Sequence, residues 1–265
     1  MAGIRPKIGL IDIETAPIVA NTWGLWDQNV GLNQIDTEWV LLSYALKELG
    51  SKSVEYADTS ERGNTRDDGA LMQRLWEILN EYDVLIAHNG KKFDMKKIRA
   101  RLILLGYRPH SPVKIEDTLL MAKQVAAFTS NKLEWLSTYL SSQKKDNHAQ
   151  FAGFDLWKEC LADNPKAWKV MKKYNIRDIT SLEEVYFKLR PWAQGTVNLA
   201  VYDDSNDSVC CPVCGGDNVE QDGYTFTQTG KYLRYHCLDE RCGAWSRSRY
   251  TMNSTSKRKS LLVAT

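Results

Sequence analysis

Four acidic residues in three separated settings stand out for the chemistry they could do together: Asp12 and Glu14 in IGLIDIET, Asp94 in AHNGKKFD, and Asp178 in YNIRD. Their number and settings suggest a pair of divalent cations held over a phosphate. Two metals about 3.5–4 Å apart can stabilise the attacking and leaving oxygens of an in-line displacement. Side chains alternate faces along a strand, so Asp12 and Glu14 project the same way while Ile11 and Ile13 enter the opposite layer. Two carboxylates that close repel, and a bound cation is the natural remedy. Tyr174 and Asp178 lie four apart on a predicted helix and share a face that Val185 and Leu189 continue toward the core. An inward-facing Asp178 needs compensation, for which metal is a good candidate. Asp94, between a predicted strand and a helix, has two open readings, metal ligand or helix N-cap.

A second cluster is made of cysteine. Cys211-Pro-Val-Cys214 and, after 22 intervening residues, Cys237-Leu-Asp-Glu-Arg-Cys242 have the spacing of a four-cysteine zinc site. The stretch YTFTQTGKYLRYHC between them alternates aromatic and polar residues about Thr229-Gly230, as the hairpin of a zinc ribbon would. So small a module has little core of its own, and zinc binding at about 10–16 kcal/mol should largely fold it. Cys210 stays outside the ligand set, because Cys211 starts the better Cys-Pro-x-Cys register, and Cys160 reads as a small buried hydrophobe. Tyr224, Tyr232, Tyr235, Trp245 and Tyr250 interleave with Lys231, Arg234, Arg247 and Arg249, a composition suited to nucleic acid. Docking of a replication or repair protein is the rival use, and some of those aromatics are expected to cover the zinc site.

The elements that must position these groups follow from periodicity. Residues 7–12, 40–46 and 53–57 read as three neighbouring strands, 84–88 as a fourth and 113–116 as a short fifth. Residues 67–82 read as a helix with Leu71, Leu75, Ile78 and Leu79 on one stripe. The helix after Asp94 should bury Ile98, Leu102 and Leu105 and turn Lys96, Lys97, Arg99 and Arg101 outward. Further helices start near Thr118, span 132–140, and run from about Pro165 to Leu189, stopping before Pro191. Three strands followed by alternating strands and helices make a mixed five-stranded α/β sheet flanked by helices, the order of a ribonuclease H-like fold. The polar run DDSNDS marks the boundary: residues 1–202 form the large domain, 203–207 a linker, 208–250 a small β zinc ribbon and 251–265 a basic tail.

DIET, NGKKFD (Asn-x-x-x-Phe-Asp) and YNIRD (Tyr-x-x-x-Asp), in that order, resemble the three exonuclease motifs of the DEDD superfamily in its tyrosine-bearing branch. The middle motif is most similar to that of the proofreading exonuclease domain of family B DNA polymerases. The resemblance covers about Lys7 to Leu189. It implies that Asp12, Glu14, Asp94 and Asp178 ligate two Mg²⁺ or Mn²⁺ ions, hard cations suited to oxygen ligands. It also implies that Tyr174 positions the attacking water and that a 3′ end is shortened to nucleoside 5′-monophosphates. Asn89 would contact the substrate strand, although a turn-forming Asn beside Gly90 explains it as well. Asp117 and Thr118 are left outside the ligand set because a helix start accounts for them. His88 precedes Asn89, the wrong place for a general base, and reads as a strand-end residue.

The segment PIVANTWGLWDQNVGLNQID is long for a connection, and such loops are often functional. Trp23 and Trp26 either stack on a terminal base or pack beneath the loop. Lys91 and Lys92 either meet backbone phosphates or form a solvated surface.

At 265 residues with 43% hydrophobic content the chain can build one generous domain and a small module. A net charge of +2 means that nucleic-acid binding, single-stranded DNA 3′ ends above all, must rest on local basic patches. One such patch is the stretch from Arg247 onward, which has five basic and no acidic residues and reads as either a solvated tail or a binding arm. No signal-peptide core or membrane-length apolar run is visible, so the expected address is cytoplasmic with no membrane partner. The length leaves no room for a polymerase, so the expectation is a stand-alone 3′ to 5′ exonuclease. The alternative is a binding or recruitment protein built on an inactive nuclease fold, disfavoured because the four acids and the tyrosine are all present.

Overall fold

The computed structural model describes residues 6–60, 63–143, 151–205 and 207–263. Parts of the expected large domain (residues 1–5, 61–62 and 144–150), of the linker (Asn206) and of the tail (residues 264–265) lie outside them. The chain forms two compact units, one of Lys7–Lys123 with Phe128–Val185, the other of Gln124–Ala127 with the chain from Tyr186 onward.

In the first unit the elements are β1 (Ile8–Thr15), β2 (Val19–Ala20), β3 (Ile35–Thr37), β4 (Leu41–Glu48), β5 (Glu55–Asp58), α1 (Gly69–Glu81), β6 (Val84–Ala87), α2 (Asp94–Leu104), β7 (Lys114–Asp117), α3 (Thr118–Val125), α4 (Leu133–Leu140), α5 (Asp155–Leu161) and α6 (Pro165–Leu189). Five strands make one sheet in the order β5-β4-β1-β6-β7. The β5-β4-β1 half is antiparallel and the β1-β6-β7 half parallel. This is the mixed sheet flanked by helices of the ribonuclease H-like class. β6, VLIA, is buried at every residue, as a strand covered on both faces must be.

Two cores flank the sheet. Ile11 and Ile13 of β1 pack with the expected stripe of α1 (Leu71, Leu75, Ile78, Leu79) and with Ile98 and Leu102 of α2. Ala16, Val40 and Leu42 belong to a second cluster with Leu156 and Cys160 of α5 and Trp168 and Met171 of α6. Two charged contacts fix the layers. Asp68 is buried, takes both arms of the Arg101 guanidinium at 2.6 and 2.8 Å, and accepts from the Leu41 N–H at 2.9 Å. Lys47 of β4 and Glu183 of α6 form an ion pair at 2.5 Å that is nearly sealed from solvent.

The structure corrects several expectations. Arg101 does not simply face water, because Asp68 needs a buried countercharge. Leu105 is exposed rather than buried, since α2 ends at Leu104 and the chain leaves the helical face there. The long connection after β1 contains the β2–β3 hairpin, and α5 was not expected at all. No helix among the described residues is long and apolar enough to cross a membrane.

The second unit holds β8 (Val219–Phe226), β9 (Lys231–Cys237) and β10 (Trp245–Arg247) in the antiparallel order β10-β9-β8, followed by α7 (Thr255–Ser260). A bulge between Gln221 and Tyr224 is accommodated by Gly223 at φ +65°. The expected tail is partly helical: Ser254 caps α7 by accepting from the Lys257 N–H at 3.1 Å. Upstream of the expected boundary, the Leu199 N–H is donated to the Pro212 carbonyl at 2.8 Å, so the chain just before the linker is already part of this unit.

Candidate active site

β1 reaches past its parallel neighbour, pairing with β6 only as far as Leu10 but with β4 as far as Thr15. Asp12 and Glu14 sit on that overhang, and the Ile13 N–H between them is donated to the Asp94 carboxylate. Asp94 is therefore not the N-cap of α2: Phe93 holds that position, and Asp94 is the first helical residue, buried and bonded to β1. α6 brings Tyr174 and Asp178, whose phenol and carboxyl are hydrogen-bonded to each other.

The electrostatics show that the four acids face one another. Burial, followed by the charges of Glu14, Asp94 and Asp178, pushes Asp12 well above the usual carboxylate range. Burial and then the charge of Asp178 push Glu14 up to about 8. Asp94 is pushed up to about 7 by burial, against the opposing pull of its backbone N–H donors. Asp178 rises to about 6 by burial, with Arg177 and the Tyr174 hydroxyl holding it down. The Tyr174 phenol is driven well above 10, by burial first and then by Asp178, Glu14 and Asp12. Asp12, Glu14, Asp94, Asp178 and Tyr174 thus meet in one place. Among the described residues, only the cysteines bring three or more His, Cys, Asp or Glu ligand atoms within 4.8 Å of one another.

Three further residues hold the acids in place. Asn175, fully buried, donates from Nδ2 to Asp12 Oδ2 at 2.8 Å and accepts from the Ser43 hydroxyl at 2.5 Å. Trp157 donates its indole N–H to Glu14 Oε2 at 3.2 Å and sets its ring edge-on to Tyr174 at 6.2 Å between centroids. Asn175 had a signal, a polar side chain next to Tyr174 on an inward helical face. Trp157 also had one, in the Leu156/Cys160 spacing of a short amphipathic turn.

The loop after β6 is clamped from β7. Asp117 accepts from the Asn89 N–H at 3.0 Å and the Lys91 N–H at 3.1 Å, and also from Leu119 and Leu120 at the start of α3. Its oxygens are committed to backbone donors, consistent with its place outside the ligand set. Asn89 is left-handed at φ 65°, a conformation Asn tolerates, so its turn-forming role is real. A Cβ on the adjacent Gly90 would meet the Ala87 Cβ at 2.4 Å, so no larger residue fits the turn. His88 bridges the Thr118 hydroxyl (2.9 Å) and the Asn131 carbonyl (3.0 Å), and burial lowers its pKa. It is a strand-end residue, neutral near pH 7. The side chains of Lys91 and Lys92 are exposed. Trp23 and Trp26 are 98% and 84% exposed, which removes the expectation that they pack beneath the loop.

In the second unit, Cys211, Cys214, Cys237 and Cys242 converge. The Cys211–Cys242 and Cys214–Cys237 sulfurs lie 3.8 and 3.6 Å apart. A tetrahedral ion with Zn–S bonds near 2.3 Å needs edges of about 3.8 Å, so the quartet fits zinc. The apolar residues packed with it are Val213, Ala244 and Val219, where aromatic rings were expected. Cys210 stands outside the quartet, and Cys160 is fully buried in the second core.

Over 129 residues, 48% of this chain, the sequence is 32% identical to the DNA polymerase III PolC-type of Ureaplasma parvum serovar 3. That stretch is only 8% of the relative's length. The fold is similar to that of the family B DNA polymerase from the hyperthermophilic archaeon Pyrobaculum calidifontis, with a TM-score of 0.52 at 13% identity, covering 74% of this chain and 25% of the polymerase. At that identity the likeness speaks for the fold alone. Residues 29–190, which include Asp94, Tyr174 and Asp178, match a family description, and on that match the chain belongs to the RNase H superfamily.

Proposed function

We propose that the chain is a divalent-metal-dependent exonuclease that shortens a nucleic-acid strand, DNA in preference, from its 3′ end and releases nucleoside 5′-monophosphates. The observation that carries this reading is the meeting of Asp12, Glu14, Asp94 and Asp178 around Tyr174, with each carboxyl raised by burial. All-oxygen donors suit Mg²⁺ or Mn²⁺, and four carboxylates are enough to share between two such ions. Cations bound there would neutralise the acids and lower the pKa of a coordinated water.

The chain's own groups supply position. Asn175 and Trp157 fix the carboxylates of Asp12 and Glu14, and the Asp94 carboxylate is tied to the β1 backbone. The Tyr174 phenol stays protonated at neutral pH, and its bond to Asp178 aims it as an orienting hydrogen-bond partner for the attacking water. Asn89 and Lys91, on the loop clamped by Asp117, would meet the strand near the scissile nucleotide. The exposed rings of Trp23 and Trp26 would stack on a terminal base, a contact of about 1–3 kcal/mol in single-strand binders. A structural Zn²⁺ would hold the ribbon. DNA is favoured because the relative matched by sequence is named as a DNA polymerase.

The test uses 5′-labelled single-stranded DNA, duplex DNA with a mismatched 3′ end, and RNA of the same sequence, each with Mg²⁺ or Mn²⁺. A ladder shortening from the 3′ end, lost in Asp12→Ala and reduced in Tyr174→Phe, is expected. Metal-independent cleavage, or full activity in Asp12→Ala, overturns the reading.

A further inference from the structure

We propose that the hairpin end of the zinc-ribbon sheet is a binding surface for single-stranded nucleic acid. β10 runs back along β9, pairing Trp245 with His236 and Arg247 with Arg234. The chain continues in that direction, with the Ser248 N–H donated to the Leu233 carbonyl and the Met252 N–H to the Lys231 carbonyl. Asn253 Oδ1 accepts from the Lys231 N–H at 2.7 Å, which pins the start of α7 beside the turn.

This register sorts the charges. Asp217, Glu220, Asp239 and Glu240 stay at the cysteine end, Glu220 opposite His236 next to Cys237, and Asp222 is paired with Arg234 at 3.0 Å. The hairpin end, residues 224–233 with 247–260, carries Lys231, Arg247, Arg249, Lys257, Arg258 and Lys259 and no acid. A module of mixed charge thus presents one wholly cationic end, which complements a phosphate backbone.

Aromatic rings lie among those cations. Lys231 Nζ lies 3.6 Å from the Tyr224 ring centroid, the Arg247 guanidinium 4.0 Å from Tyr232, and that of Arg249 5.7 Å from Tyr250. Phe226 and Tyr250 are 70% and 77% exposed. Rings alternating with cations offer each nucleotide a stacking face and a phosphate partner, and stacking needs unpaired bases. That pairing of chemistries favours a single strand over a duplex, a membrane or a protein.

The experiment measures anisotropy of labelled oligothymidylate with the full chain, without Mg²⁺ or Mn²⁺, over a range of salt. Reversing Arg249, Lys257 and Lys259 to Glu should weaken binding at least about tenfold and flatten the log–log salt slope by about 2, since single strands give about 0.7 per phosphate contact. Phe226→Ser with Tyr250→Ser should weaken binding with the slope unchanged. Asp239→Lys with Glu240→Lys should strengthen binding far less than the reversal weakens it. One zinc per chain in every variant shows that the module is folded. Equal affinity and slope after the reversal, or wild-type protein that prefers phosphatidylserine vesicles to the oligonucleotide, overturns the proposal. No turnover enters the measurement, so its failure leaves the carboxylate reading untouched.

Discussion

Trp157 and Glu14, 143 positions apart in sequence, are joined by an indole N–H···carboxylate bond of 3.2 Å, and the same indole meets Tyr174 edge-on. One side chain from a short helix therefore orients an acid on β1 and the tyrosine on α6. Trp157→Phe keeps a ring and removes the N–H. It should lower kcat about tenfold, the scale of a lost hydrogen bond to a charged group, with KM for a 3′-ended strand little changed. Trp157→Leu should cost more, because it also frees the Tyr174 ring. Single-turnover and steady-state rates separate the two variants.

Asn175 is committed on both sides, to Asp12 and to the Ser43 hydroxyl. Asn175→Ala leaves buried polar groups unsatisfied and should destabilise the fold by about 1–3 kcal/mol. Urea denaturation monitors this, and the double variant with Ser43→Ala should cost less than the sum of the singles because they share one network.

The raised carboxyls make stability depend on pH and on metal. The folded state keeps protons on Glu14, Asp94 and Asp178 up to about 8, 7 and 6, whereas the unfolded chain has released its own. Unfolded carboxyls titrate near about 4. The folded state binds more protons, so stability is full below that value and falls as pH rises through the folded values. The melting temperature without divalent metal should therefore drop between pH 5.5 and 8.5. Mn²⁺ should raise it more at the upper pH, where fewer protons compete with the metal. An upward trend with pH in the metal-free protein would contradict the electrostatics described above.

Zinc removal should act on one unit. Cys237→Ser should lose the ion and unfold the ribbon, since binding of about 10–16 kcal/mol is most of such a module's stability. Cys210→Ser should retain one zinc per chain. Metal analysis with limited proteolysis distinguishes them, the ribbon being cut in the first variant and protected in the second.

The sequence was most informative where one face decides. Alternation put Asp12 and Glu14 opposite Ile11 and Ile13, and the four-residue step tied Tyr174 to Asp178. It was least informative where a tertiary partner decides. Arg101 looks solvated until Asp68 is seen buried beside it, and Leu105 looks apolar enough for the core until α2 ends before it. The seven residues of α5 offer only the single Leu156/Cys160 step as a helical signal, too little to place Trp157 against Glu14. The Arg247–Tyr232 contact of the ribbon depends on the return path of β10, which no local pattern encodes.

α6 runs 25 residues without a break and carries both the Tyr174–Asp178 pair and, further on, Glu183 in its sealed contact with Lys47. The helix therefore has a fixed rotational phase, locked at one end and read out at the other. One residue inserted between Asp178 and Glu183 would turn the first part about 100° against the lock. A perfectly folded chain could then hold its tyrosine out of step with its acids, so length along this one helix is as much a part of the site as the residues themselves.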